Sequence, residues 1–150
     1  MESDTHAPVA ANGSVEVAAP PVLVWRLMSQ IEDWPTWNPD IRTARLDGRL
    51  EVGSRFTWKA GPGTIRSELT EVSPGSVITW TGSMLGIRAH HVWRISETGA
   101  GTVVSTDETW SGLLPRLFPG SMTRSLQKAV DSGLAAIKAE AESRATVKTR

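Results

Sequence analysis

Two residues in this 150-residue chain carry proton-transfer chemistry at a spacing that can bring them together: His91 and Glu108. Each lies in a stretch with a period of two. From Ile87 to Ile95, one face carries Ala89, His91, Trp93 and Ile95; the other carries Arg88, His90, Val92 and Arg94, which its charges turn to solvent. From Thr102 to Ser111, Val104, Thr106, Glu108 and Trp110 share a face, with Val104 and Trp110 as inward anchors. A turn near Gly99 makes the two stretches a hairpin. The register that matches both inward faces pairs Ile95 with Val104, Trp93 with Thr106, His91 with Glu108 and Ala89 with Trp110. Opposed residues have Cβ atoms roughly 4.5–5.5 Å apart. An imidazole and a carboxylate held so in an apolar interior titrate as a coupled pair. They can act as general acid and base on an enolisable ketone, or serve only as a hydrogen-bonded clasp within the sheet.

Composition removes most other chemistries. There is no Cys and no Tyr, so thiolate metal sites, disulfides, Cys nucleophiles and phenol-based mechanisms are excluded. His90 cannot join His91 in a metal site, because neighbours on a strand point apart, and no metal or other cofactor is expected. Ser67 has no base assigned to it. Asp33, Asp40 and Asp47 read as surface or turn residues. Sixteen Lys and Arg balance sixteen Asp and Glu, which argues against nucleic-acid binding. Arg124 and Lys128 read as a solvated helix face. Trp is the unusual entry in the composition: seven of nine aromatic residues.

The elements that must position the pair follow from periodicity. Residues 1–13 read as a flexible tail, and Val15 and Val17 mark a short strand. Pro20 and Pro21 open a helix carrying Leu23, Val24, Leu27, Met28 and Ile31, which ends before Trp34-Pro35. Six strands follow: Ile41–Leu46, Arg55–Lys59, Thr64–Val72, Val77–Gly82, Ile87–Ser96 and Thr102–Ser111. Their short Gly- and Pro-containing links make an antiparallel meander. Leu113–Phe118 reads as an apolar loop. The last helix, 121–143, has Leu126, Ala129, Val130, Gly133, Leu134, Ile137 and Ala141 on one stripe. The acidic Met1-Glu2-Ser3-Asp4 start is unlike a secretory signal, and the longest nonpolar run, Val17–Trp25, is far short of the roughly 18 residues of a membrane helix. A cytoplasmic protein without stable membrane anchoring, monomeric or homodimeric, is expected.

With these elements in order, the chain resembles the START/Bet v 1-like (SRPBCC) superfamily, and within it the bacterial polyketide cyclase/dehydrase-like branch. The resemblance rests on Ala19-Pro20 with Val24-Trp25, Ile31-Glu32 with Trp34-Pro35 and Trp37-Asn38-Pro39, and Gly53 with Phe56. Further along it rests on Leu69-Thr70-Glu71-Val72 with Pro74, Trp80 with Gly82, His91 with Trp93, Gly101-Thr102 with Val104, and Glu108 with Trp110 and Gly112. It spans about residues 14–143, read as a single ligand-binding domain, with 144–150 a C-terminal tail. It implies an α+β helix-grip fold: a seven-stranded antiparallel sheet wrapped around the long C-terminal helix, with two short helices after the first strand. It is weak for function, because such folds host carriers, receptors and enzymes alike. Aromatase/cyclases of this superfamily use a pocket Arg and Tyr; the Tyr position, seven residues after Trp34, is Ile41 here, and no pocket Arg is evident near Glu71-Val72. A cyclase built on this chain would not use that apparatus.

Several Trp on a concave face cannot pack tightly against a helix carrying Ala129, Gly133 and Ala141, so a cavity is expected. Its expected lining is Trp37, Phe56, Trp58, Ser67, Leu69, Ile78, Trp80, Leu85, Ala89, Trp93, Thr106, Trp110, Leu113, Phe118, Leu126, Ala129, Val130 and Gly133, with His91 and Glu108 as catalytic candidates. Its mouth is expected at the sheet end carrying Gly61–Gly63, Met84-Leu85 and Leu113–Phe118. The ligand would be hydrophobic, polyketide-like or aromatic. Cyclisation or dehydration, carriage or sensing of a lipid or isoprenoid, and a protein-interaction role for the apolar rim all remain open at this stage.

Overall fold

The computed structural model describes residues 7–148. Seven antiparallel strands form one sheet: β1 (Val9–Val17), β2 (Ile41–Asp47), β3 (Arg55–Ala60), β4 (Gly63–Ser73), β5 (Val77–Met84), β6 (Ile87–Thr98) and β7 (Gly101–Ser111). The order across the sheet is β1-β7-β6-β5-β4-β3-β2, so the meander runs from β2 to β7 and β1 closes on β7. Helices α1 (Pro21–Ser29) and α2 (Trp34–Trp37) follow β1, joined by one 3₁₀ turn at Ile31–Asp33. Helix α3 (Leu113–Leu117) and the long α4 (Pro119–Lys148) end the described chain. This is the helix-grip fold.

The strand positions agree with the two-residue period, and the differences lie at the edges. Residues 9–13, expected in the tail, form the first half of β1; their Ala-Asn-Gly composition hides a strand whose stability comes from pairing with β7. Residues 1–6 of that tail lie outside the described residues. The C-terminal helix runs on through 144–148, expected as tail, and residues 149–150 are not described. The apolar loop 113–118 contains α3, opened by Gly112 at φ 111°. Val92, assigned to solvent, is 1% exposed on the convex face. It stands between Thr79 and Asp107, beside the Arg94–Asp107 ion pair at 2.7 Å.

Cross-strand rows explain how the sheet positions the site. One inner row reads Leu69, Trp80, His91, Glu108, Ala11 across five strands. The next reads Val72, Ile78, Trp93, Thr106, Gly13. On the other side lies Phe56, Ser67, Gly82, Ala89, Trp110, Val9, small in the middle. Gly13 is where α4 crosses β1: a Cβ there would sit 2.8 Å from the Leu134 side chain. The helix is therefore seated close against the β1 edge. Lys138 donates to the Glu16 carbonyl and Glu142 accepts from the Ala18 N–H, at 2.7 and 2.9 Å, fixing the same edge. Over the centre of the sheet, where the row is small, no such contact closes the space.

Candidate functional site

That space is a cavity of about 440 Å³ between the concave sheet and α4. It is large enough for a drug-sized molecule, within the usual 300–1,000 Å³ of ligand pockets. Ser67, Gly82 and Ala89 form part of its wall, Trp80, Trp93 and Trp110 stand around them, and Leu126, Ala129, Val130 and Gly133 face them from α4. Gly133 leaves the ring edge of Trp93 3.7 Å from where a Cβ would lie. Trp37 and Trp58 complete the aromatic part. Among the described residues, no Lys or Arg lines it.

Some expected lining residues lie elsewhere. Phe56, Leu69 and Ile78 are fully buried core. Trp34 packs its ring on Phe56, Trp58 and Trp80 at centroid distances of 5.6, 5.8 and 5.3 Å; Trp34, Trp58 and Trp80 line the cavity and Phe56 does not. Thr106 is buried beside His91 and does not line the cavity wall. Leu85, Leu113 and Phe118 turn outward, 67, 65 and 55% exposed. Sequence reasoning missed Trp34, Met28, Asn38, Ile41, Ile65, Met84 and Ile87, which do line the cavity. Ile65 shares a face of β4 with Ser67, so the two-residue period carries its signal; Trp34 opens the short α2 and Asn38 caps it, where no strand period applies.

The expected His91–Glu108 register is observed. Nδ1 of His91 lies 2.9 Å from Oε1 of Glu108, with side chains 10 and 13% exposed. The approach is not aligned as a good N–H···O bond, so the attraction is chiefly between charges. Burial pushes the Glu108 carboxyl up, but chiefly the charge of the adjacent His91, with the Trp110 N–H donor, more than offsets it and holds it below the ordinary value. Nε1 of Trp110 donates to Oε2 at 2.8 Å.

Hydrogen-bond accounting fixes the protons. The Thr106 hydroxyl has one proton, which it donates to the Val92 carbonyl at 2.8 Å. Its oxygen must then accept from Nε2 of His91, 2.9 Å away. A second proton is required between Nδ1 and the carboxylate, where two lone pairs would otherwise repel. Both imidazole nitrogens are thus engaged, while the carboxylate keeps unused lone pairs. His91 is also flanked by Trp80 and Trp93, at centroid distances of 4.8 and 5.5 Å. Ser67, on the cavity wall, accepts from the Trp58 indole N–H at 3.0 Å. The described residues hold no cluster of three or more His, Asp or Glu that could bind a metal.

Comparison with known proteins places this architecture. The sequence pattern of the family described as polyketide cyclase/dehydrase and lipid transport matches residues 8–142. The chain belongs to this family. No curated protein matches the sequence. Among solved structures, this family member is similar to the hypothetical protein jhp0584 of Helicobacter pylori, with TM-score 0.80 and 13% identity over 91% of this chain and 90% of that one. It is similar to the di-domain ARO/CYC StfQ of the steffimycin biosynthetic pathway, with TM-score 0.76 and 22% identity over 92% of this chain and 52% of that one. A START superfamily protein from Mycobacterium smegmatis has TM-score 0.71 and 19% identity over 92% and 97%. At such identities the likeness speaks for the fold. Membership in the family and the START-like neighbours point to hydrophobic ligand binding; among the described residues no helix is long and apolar enough to cross a membrane.

Proposed function

We propose that this protein binds a hydrophobic, partly aromatic, oxygenated small molecule in the cavity and catalyses its cyclisation or dehydration without a cofactor, with Glu108 as the base. The observation that carries the proposal is the His91–Glu108 contact of 2.9 Å inside an otherwise apolar, Trp-lined cavity. A carboxylate held below its ordinary range is a weak base, so it suits only an activated C–H, such as a methylene between two carbonyls. Glu108 takes that proton. The enolate carbon attacks a second carbonyl folded against it, forming the ring C–C bond. The alkoxide oxygen takes the proton back from the pair, and loss of water then gives the unsaturated ring. The apolar walls hold the chain folded, which supplies much of the rate.

Carriage without chemistry is the second reading, and a specific observation favours it. Both His91 nitrogens and both Glu108 oxygens already have partners, as in a structural clasp. One experiment separates the two. The protein is incubated with a soluble poly-β-ketone ester and followed by mass spectrometry. Catalysis gives a product that is cyclised or one water lighter, and Glu108→Gln slows it about 10²–10⁴-fold with little change in binding. Ligand recovered unchanged, at the same rate with and without the variant, assigns the cavity to carriage.

A further inference from the structure

Charge is segregated along the sheet although the chain is neutral. Three stretches meet at the end where β3 turns into β4 and β5 into β6: residues 59–67, 82–89 and 112–130. Together they hold six cationic residues, Lys59, Arg66, Arg88, Arg116, Arg124 and Lys128, and no Asp or Glu; Asp40, next to Ile41 where β2 pairs with Ala60, is an acid at this end and accepts from the Ser132 hydroxyl at 2.7 Å. All six are exposed, and none has an ion-pair partner among the described residues. The turns at the opposite end, residues 47–53, 71–76 and 97–101, hold Asp47, Glu51, Glu71 and Glu97 against Arg49 alone.

The same cationic end carries exposed apolar side chains. Among the described residues, seven large hydrophobics are strongly exposed, and Leu85, Leu113, Leu117 and Phe118 are four of them, at 55–67%. Leu85 and Leu113 border one shallow depression with Arg66 and Arg88. Ser83 pairs with both arginines across the sheet, so a small hydroxyl lies between the two cations. Leu85 occupies the tip of the β5–β6 hairpin at φ 47°, a left-handed conformation that a branched side chain rarely adopts. Met84 and Gly61, at the roots of these turns, line the cavity, so the patch surrounds its mouth.

We infer that this end of the molecule docks on the surface of an anionic lipid bilayer, with Leu85, Leu113, Leu117 and Phe118 entering the interface and Arg66 and Arg88 meeting lipid phosphates. Charge complementarity selects an anionic partner. The shape selects a bilayer over an acidic protein: the apolar groups stand on separate protrusions around an opening, and a fluid interface takes separate protrusions without matching pockets. Docking there sets the cavity mouth against the phase in which a hydrophobic ligand dissolves. The inference goes beyond the reading of the cavity and does not depend on catalysis.

The test is sedimentation of the full chain with vesicles of neutral phosphatidylcholine or of phosphatidylcholine with a quarter phosphatidylglycerol. Binding is expected only to the anionic vesicles and is lost in high salt. Arg66→Gln and Arg88→Gln should each weaken it about fivefold. Leu85→Asn suits the positive φ, so it keeps the fold, yet it removes an apolar tip and should also weaken binding. No binding, equal binding to both vesicles, or full binding by Leu85→Asn together with Phe118→Ser overturns the inference. Capture by soluble polyglutamate as strong as by vesicles, and unaffected by Leu85→Asn, would assign the patch to an acidic protein instead.

Discussion

Glu108→Gln freezes the protonated form of the carboxyl in nearly unchanged shape. The wild-type contact places opposite charges 2.9 Å apart. At an effective dielectric of 20 the gross attraction is about 6 kcal/mol. Desolvation of the two groups offsets a large part of it, and breaking such a pair by removing one partner costs about 3–5 kcal/mol. Gln still accepts from the Trp110 indole, so the lower value, about 3 kcal/mol at neutral pH, is expected. The pH dependence has a definite sign. The folded Glu108 pKa lies below the ordinary 4.5, so the carboxylate stabilises the fold fully above about 4.5, and this is lost as pH falls through the folded value. Below that value the wild-type side chain is itself neutral and resembles Gln. Urea unfolding followed by Trp fluorescence should therefore show a gap of about 3 kcal/mol near pH 7 that narrows as pH falls below about 4.5 and is clearly smaller near pH 3. A gap of equal size at both pH values, or none at neutral pH, would refute the account of the pair.

Thr106→Val leaves Nε2 of His91 without its acceptor and should cost about 1–3 kcal/mol in urea unfolding, while Thr106→Ser restores most of it. Gly133→Leu points a side chain at Trp93 and into the cavity; binding of an apolar fluorescent dye should fall at least about tenfold, while Tm moves little because the helix interior gains by losing a glycine. Gly101→Ala meets both a φ of 154° and a clash of the new Cβ with the Val17 carbonyl, so a loss of about 2 kcal/mol or more is expected by thermal unfolding.

Alternation carried most of what could be read from sequence alone. Strands β6 and β7 each present a long inward face with bulky anchors, Trp93 and Trp110; matching those faces across the short turn at Gly99-Ala100 gives the register that brings His91 to Glu108. The cavity itself was legible as an excess of Trp opposite small helix residues. Its extent was not. Phe56, Leu69 and Ile78 share the inward face with Trp58 and Trp80, and nothing in a period of two says which of them another ring will cover. Trp34 covers Phe56, from the start of α2, where its indole bonds the Met28 carbonyl at 3.1 Å. The apolar character of Leu85, Leu113 and Phe118 marks a rim, and whether a rim residue turns in or out depends on loop geometry that apolar character does not encode. The strand at 9–13 has no local signature because Ala10, Asn12 and Gly13 have poor strand propensity, and their partners Thr109, Asp107 and Thr106 lie 93 to 99 residues away.

The pairing of β1 with β7 has a temporal consequence. Val9 lies opposite Trp110, and α4 locks onto the same edge through Glu16, Ala18 and Gly13. During synthesis the strands from β2 onward can form a meander of local hairpins as they emerge. The wall that bears Glu108 cannot be closed until β7 meets a segment made long before, and the concave face stays wet until α4 arrives. Such non-local closure is the slow part of folding, and the Trp-rich inner face is exposed while it waits. The first strand is thus the last to be secured, and a hydrophobic ligand present at that moment would favour the folded state by mass action.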